Sequence, residues 1–197
     1  MKKIEFIKVV KRRVTGNEEK IHDRYFEKNI SMAFNQIFYN TFIRNRSDLD
    51  LYTKQYPLTV EKDDVGNYYC DIPVDIVQLP ISGNGVRQIR GTSKNKYLEF
   101  VPISSQSRPI FNGLDVGKVD DKVGYSVDGS KIWFDENMMA DIDTVVAMIL
   151  RSFESYGKNE NIYVPSGKDE ELIMLVTQFM MGTPGKKVIN DNNPNTP

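Results

Sequence analysis

From Glu18 to about Arg44 the chain repeats large apolar side chains at every fourth position: Phe26, Ile30, Phe34, Phe38 and Phe42, with Ala33, Ile37 and Thr41 alongside. Helical geometry puts such positions on one face, so the pattern predicts one continuous helix with a broad apolar stripe. Over roughly 26 residues that helix would run about 40 Å. Thr15 and Glu18 have the spacing of a capping box ahead of it. The cations of "RNRSD" suit the negative end of its dipole. Upstream, "KKIEFIKVVKRRV" (2–14) sets Phe6, Val9, Val10 and Arg13 at helical spacing and predicts a shorter amphipathic helix.

Beyond residue 50 the period shortens to two. "YTKQYPLTVEKD" alternates, "NYYCDIPVDIVQLP" is β-rich but interrupted by proline, and "GVRQIR" and "YLEFVPI" read as short strands. "VGYSVDGSKIWFD" reads as a hairpin turning at Asp-Gly. "IDTVVAMILRS" is a further strand. "VPSGKDEELIMLVTQFMMG" is a helix, capped by Ser166 or Gly167, acidic in its first turn and stopped by Gly182. The remaining "TPGKKVINDNNPNTP" has little to bury and reads as a tail. The predicted class is α+β: long N-terminal helices packed with a mostly antiparallel β-rich region, a C-terminal helix and an extended tail. The predicted division is one domain over 1–182, helical over 1–46 and β-rich over 47–182, followed by the tail 183–197.

"DIVQLPISGNGVRQIRG" carries the one stretch with a phosphate-loop flavour. A dinucleotide fingerprint needs its glycines to open a helix, whereas Gly83 and Gly85 lead into a strand pattern. The order needed for a P-loop is absent too. The stretch is expected to be a turn whose glycines serve backbone geometry.

Charge changes the picture more than composition does. The 197 residues are 40% hydrophobic and carry a net charge of −1. Residues 1–46, however, hold eleven Lys/Arg against five Asp/Glu, and residues 47–197 hold fifteen against twenty-two. One part is therefore +6 and the other −7, as expected for two surfaces with different neighbours. Lys2, Lys3, Lys8, Lys11, Arg12 and Arg13 form a basic strip suited to DNA phosphates or to an acidic protein surface.

Catalytic options are few. His22 and Cys70 are the only residues of their types, which removes histidine-based triads, two-histidine metal sites and disulfides. Asp63 with Asp64, Asp120 with Asp121, and Asp141 with Asp143 sit at predicted turns or strand ends, where Asp is favoured by local hydrogen bonding. No catalytic, cofactor or metal residues are expected. The longest apolar stretch, "ELIMLVTQFMMG", is too short to cross a bilayer. No secretory pattern opens the chain, so a cytoplasmic protein or a particle assembled in cytoplasm is expected.

The succession of "SMAFNQIFYNTF", "LDLYTKQYPLTV", "YYCDIPVDIVQLPISGNGVRQI", "LEFVPIS", "YSVDGSKIWF" and "IYVPSGKDEELIMLVTQFM" resembles the head–tail connector proteins of tailed bacteriophages. The adaptor or ring proteins of crAss-like phages are the nearest in pattern. The resemblance spans about residues 20–182 and consists of strand and turn patterns. It implies a virion protein without catalytic activity, assembled in the host cytoplasm and placed at the head–tail junction. A homo-oligomeric, dodecameric ring would extend the portal channel around packaged DNA, read no DNA sequence and offer a platform for the tail. Its partners would be the portal protein and neighbouring tail or connector proteins, with no membrane. The alternatives are another tail or head-completion protein, or a nonspecific DNA-binding protein using the basic N-terminus. Candidate assembly contacts are Phe26, Ile30, Phe34, Phe38 and Phe42 on the helix stripe. Lys186, Lys187, Val188 and Ile189 join them from the tail, which is expected to lie along another chain.

Overall fold

The helical and strand periods separate in space as they do in sequence. The computed structural model describes residues 1–15, 23–81, 84–92, 96–104, 122–135, 139, 141–165 and 167–181. Three helices are present among them: α1 (Lys3–Thr15), α2 (Asp23–Arg44) and α3 (Asp169–Met181). A 3-10 helix, Arg46–Tyr52, follows α2, and a shorter one covers Phe153–Ser155. The capping-box glutamate Glu18 and the proposed cap Ser166 lie outside the described residues. The acidic first turn of α3 is Asp169, Glu170 and Glu171, placed where the positive end of the helix dipole favours it.

The strands are β1 (Lys54–Thr59), β2 (Glu61–Lys62), β3 (Tyr68–Asp71), β4 (Val86–Gly91), β5 (Glu99–Pro102), β6 (Lys122–Asp128), β7 (Lys131–Phe134) and β8 (Thr144–Ile149). They form one sheet in the order β1-β8-β4-β5-β6-β7-β3-β2, antiparallel except where β5 meets β6. The two outermost strands, β1 and β2, are successive parts of one chain run, separated only by Val60. The sheet therefore curls until it is nearly closed, which leaves little unpaired edge. Val60 donates its amide to the Asp143 carbonyl at the seam, 2.9 Å away.

Alternation fills the barrel. In β8, Val145, Ala147 and Ile149 are buried. They meet Val123 and Tyr125 of β6, Ile132 and Phe134 of β7, and Cys70 of β3. The β6–β7 hairpin turns at Gly129, whose φ of +58° suits a residue without a side chain. On the outer face Tyr69 and Trp133 are cross-strand neighbours with ring centroids 5.3 Å apart, and the Lys131 ammonium sits over the Tyr69 ring.

A second core belongs to the helices. Phe6 and Val10 of α1, the α2 stripe, Leu172, Ile173 and Val176 of α3, and Leu49, Phe153 and Tyr156 form one buried cluster. This corrects the expectation for Phe26, Ile30, Phe34, Phe38 and Phe42. All five are buried within their own chain, four at no more than 1% exposure, so they are not free to contact another subunit. The cover comes from α1, α3 and the 3-10 segments rather than from the sheet. Periodicity reveals that a stripe is buried but not whether its cover lies in the same chain.

The two cores meet where Val77 and Leu150 exchange main-chain contact, with the Val77 amide 3.0 Å from the Leu150 carbonyl. Beside them Arg151, 7% exposed, grips both carboxylate oxygens of Glu160, donates to the Ser155 carbonyl and lies 4.3 Å from the Tyr156 ring. Held by this guanidinium and by the Gly157 amide, the Glu160 carboxyl is lowered to about 2. A depressed carboxyl contributes stability above its unfolded value and loses it on acidification. Glu160 should therefore remain protective above about pH 4.5, with its contribution draining as pH falls toward 2. Glu160→Gln should cost about 2 kcal/mol at neutral pH, less than a fully buried pair because Glu160 is one-third exposed. The variant should also flatten stability between pH 4.5 and 2, as checked by urea unfolding across that window.

Candidate assembly surface

The helix α2 is apolar on two opposite faces. Its inner stripe fills the helical core. Its outer face carries Tyr25, Met32, Tyr39 and Ile43, exposed by 50%, 50%, 37% and 62%. Steps of seven, seven and four residues return to nearly the same angle on a helix, so these four form a narrow line about 27 Å long. Gln36 lies within the line and donates to Asn40 Oδ1 at 3.0 Å. A helix apolar on both sides is normally covered on both sides. The sequence pattern did not bring out this line, although its spacing was legible, because the stronger phenylalanine repeat dominated it.

The basic strip is divided between structural and open residues. Lys3 is 5% exposed, donating to the Glu154 carbonyl and lying 4.9 Å from the Phe153 ring. Arg13 makes two hydrogen bonds to Glu170, which clamps α1 to α3. Lys8 and Arg12 stand exposed on α1.

Asn84 and Gly85, the described part of the "SGNG" stretch, lie in a turn, as expected, but the chemistry differs. Gly83 lies outside the described residues. The positive φ, +48°, belongs to Asn84. Its Oδ1 accepts from the Leu79 amide at 2.6 Å and its Nδ2 donates to Gln78. Asn tolerates this conformation because its side chain bonds locally. Gly85 serves close approach instead: a Cβ there would lie 2.7 Å from the Val77 carbonyl oxygen and 3.0 Å from Ile76 Cβ. Gly85→Ala should destabilise by about 1–3 kcal/mol through this clash, measurable as a lowered denaturation midpoint. An unchanged midpoint would contradict the packing at this junction.

The other candidates are structural or lie outside the described residues. His22, Asp120 and Asp121 lie outside them, as do Lys186, Lys187, Val188 and Ile189 of the tail. Asp63 caps its own turn, accepting from the Val65 and Asn67 amides, and its carboxyl is lowered chiefly by the Asn67 side chain. Asp141 and Asp143 are exposed. Cys70 is buried in the barrel, and burial pushes its thiol up to about 12, far from a reactive thiolate. Among the described residues no three His, Cys, Asp or Glu side chains gather as metal ligands, and no helix is long and apolar enough to cross a membrane.

A cleft of about 400 Å³ opens between α2 and the barrel rim, with Ser31 and Asn35 on one wall and Ile72, Val74 and Ile76 on the other. Asp75 and Glu154 also line it. Compared with known protein families and with curated proteins, the chain matches none.

Proposed function

We propose that the chain is a non-catalytic structural protein of a tailed-phage virion, one subunit of a ring in the head-to-tail connector below the portal. The observation that carries this proposal is the two-faced α2 helix. One face is filled by the subunit's own core, and the other is a 27 Å apolar line left open in a single chain. Side-by-side copies cover such a line repeatedly, and a heterologous contact that closes produces a ring. The opposite charges of residues 1–46 and 47–197 support head-to-tail contact between copies. The succession of elements that resembles connector proteins supports the virion context.

In this arrangement the N-terminal helices form the lateral wall of each subunit, and the barrel extends the channel or meets the tail. The tail, 183–197, reaches a neighbouring chain through Lys186, Lys187, Val188 and Ile189. Portal and tail proteins would be axial partners, and packaged DNA would pass without sequence readout. Exposed Lys8 and Arg12 favour one second possibility, nonspecific DNA binding. That activity would show as duplex affinity falling steeply with salt. Sedimentation of the purified protein tests the main proposal: a large closed species with a sharp boundary is expected. A single subunit mass at every concentration would overturn it.

A further inference from the structure

Asn84 and Gly85 form one of two Asn-Gly pairs in the chain, the other being Asn112 and Gly113. Asparagine is among the thermally labile residues. It is most labile before glycine, where no side chain hinders attack by the following amide. In that reaction the Gly85 amide nitrogen bonds to Asn84 Cγ, the Cγ–Nδ2 bond breaks, and ammonia leaves carrying the amide proton. Water then opens the cyclic imide at either carbonyl. One product is aspartate and the other is isoaspartate, whose backbone runs through the side-chain carbons.

The fold immobilises both reacting groups. The Asn84 carboxamide is held at both ends, its Oδ1 accepting from the Leu79 amide at 2.6 Å and its Nδ2 donating to Gln78 Oε1 at 2.8 Å. Swinging Cγ onto the Gly85 nitrogen breaks these bonds. Gly85 is equally fixed. It is buried, and its carbonyl accepts from the Leu150 amide at 2.9 Å. An added Cβ would meet the Val77 and Leu150 carbonyl oxygens at 2.7 and 3.2 Å. Val77 and Leu150 are themselves fully buried where the helical and barrel cores join. Ring closure requires rotation at the Asn84–Gly85 linkage, and room for it arises only when this join opens.

We propose that Asn84 is a modification site gated by the helix–barrel join, closed in the folded subunit and converted to aspartate or isoaspartate when the join opens. The change runs one way. Either product replaces the donor facing Gln78 with a carboxylate oxygen. Isoaspartate also lengthens the backbone by a carbon atom beside a glycine that has no room for a Cβ. A chain that stays open is therefore marked and kept from closing, whether or not the subunit assembles into a ring.

The test incubates full-length protein in native buffer and in denaturing urea at one pH and temperature. Peptide mass spectrometry follows conversion at Asn84, and isoaspartyl methyltransferase labelling identifies the isoaspartate. Asn112, which lies outside the described residues, serves as the clock in urea, where both pairs should react at similar rates. In native buffer Asn84 should react at least roughly a hundredfold more slowly than in urea, because a group protected by buried structure reacts only through openings. A native rate within about threefold of the urea rate overturns the gating. Leu150→Ala loosens the join without altering the Asn-Gly pair and should raise the native rate. Sub-denaturing urea on the wild type gives the same readout where that variant does not fold. An Asn84 rate unmoved by this loosening overturns the assignment of the gate to the join. After dilution from urea, chains carrying isoaspartate at position 84 should be missing from the folded fraction, while unmodified chains recover. Equal recovery overturns the one-way change.

Discussion

Phe34→Ala should remove about 3–5 kcal/mol of stability, the largest effect expected of any single truncation in the helical core. Phe34 is fully buried. Its ring meets Phe38 edge-on at 4.8 Å, and Phe153 and Tyr156 lie 5.9 and 6.2 Å away. Those last two residues belong to the turn that carries the chain out of β8, so the lost ring opens a cavity at the join of helices and barrel. Typical domains are stable by only about 5–15 kcal/mol, so the variant should be close to unfolding at 37 °C. Urea denaturation checks this, with helical circular dichroism reporting the helices and Trp133 fluorescence reporting the barrel. Coincident transitions at a much lower midpoint are expected. A shift worth less than about 1 kcal/mol would contradict the placement of Phe34 inside the subunit.

The second large effect separates assembly from folding. Met32→Glu combined with Tyr39→Glu should leave the subunit's unfolding midpoint nearly unchanged, because both side chains are substantially exposed in the single chain. The same pair should weaken association by more than roughly a thousandfold, since each carboxylate forced into an apolar contact costs on the order of 2–3 kcal/mol. The contrast with Phe34→Ala is the informative part. One substitution acts on the inner face of α2 and breaks the fold, whereas the other acts on the outer face and breaks the assembly. If the double variant associates like wild type, the outer line is ordinary exposed surface.

The elements themselves were largely legible. The i, i+4 phenylalanine repeat predicted α2, the apolar run "IDTVVAMILRS" predicted β8, and the Asp128–Gly129 pair predicted the β6–β7 turn that forms. What sequence could not supply was the cover of each face. Phe26 through Phe42 read as an interface because their partners, Phe6, Leu172 and Phe153, lie 20 to more than 140 positions away, beyond any local pattern. The near-closure of the sheet was hidden for the same reason: it depends on β1 pairing with β8 while β2 pairs with β3. The cleft combines α2 with residues 72–78, 129–130 and 152–154, and no spacing rule joins those four segments. Asn84 holds a left-handed conformation because its side-chain Oδ1 accepts from the Leu79 amide, a local bond that spacing alone does not reveal.

Electron microscopy of the purified assembly, averaged to count its subunits and resolve their helices, bears most directly on the ring. A closed, dodecameric ring is expected, with Tyr25, Met32, Tyr39 and Ile43 of each subunit buried against its neighbour and a central opening wide enough for duplex DNA. Isolated subunits, or a two-fold pair that leaves the outer face of α2 in solvent, would contradict it.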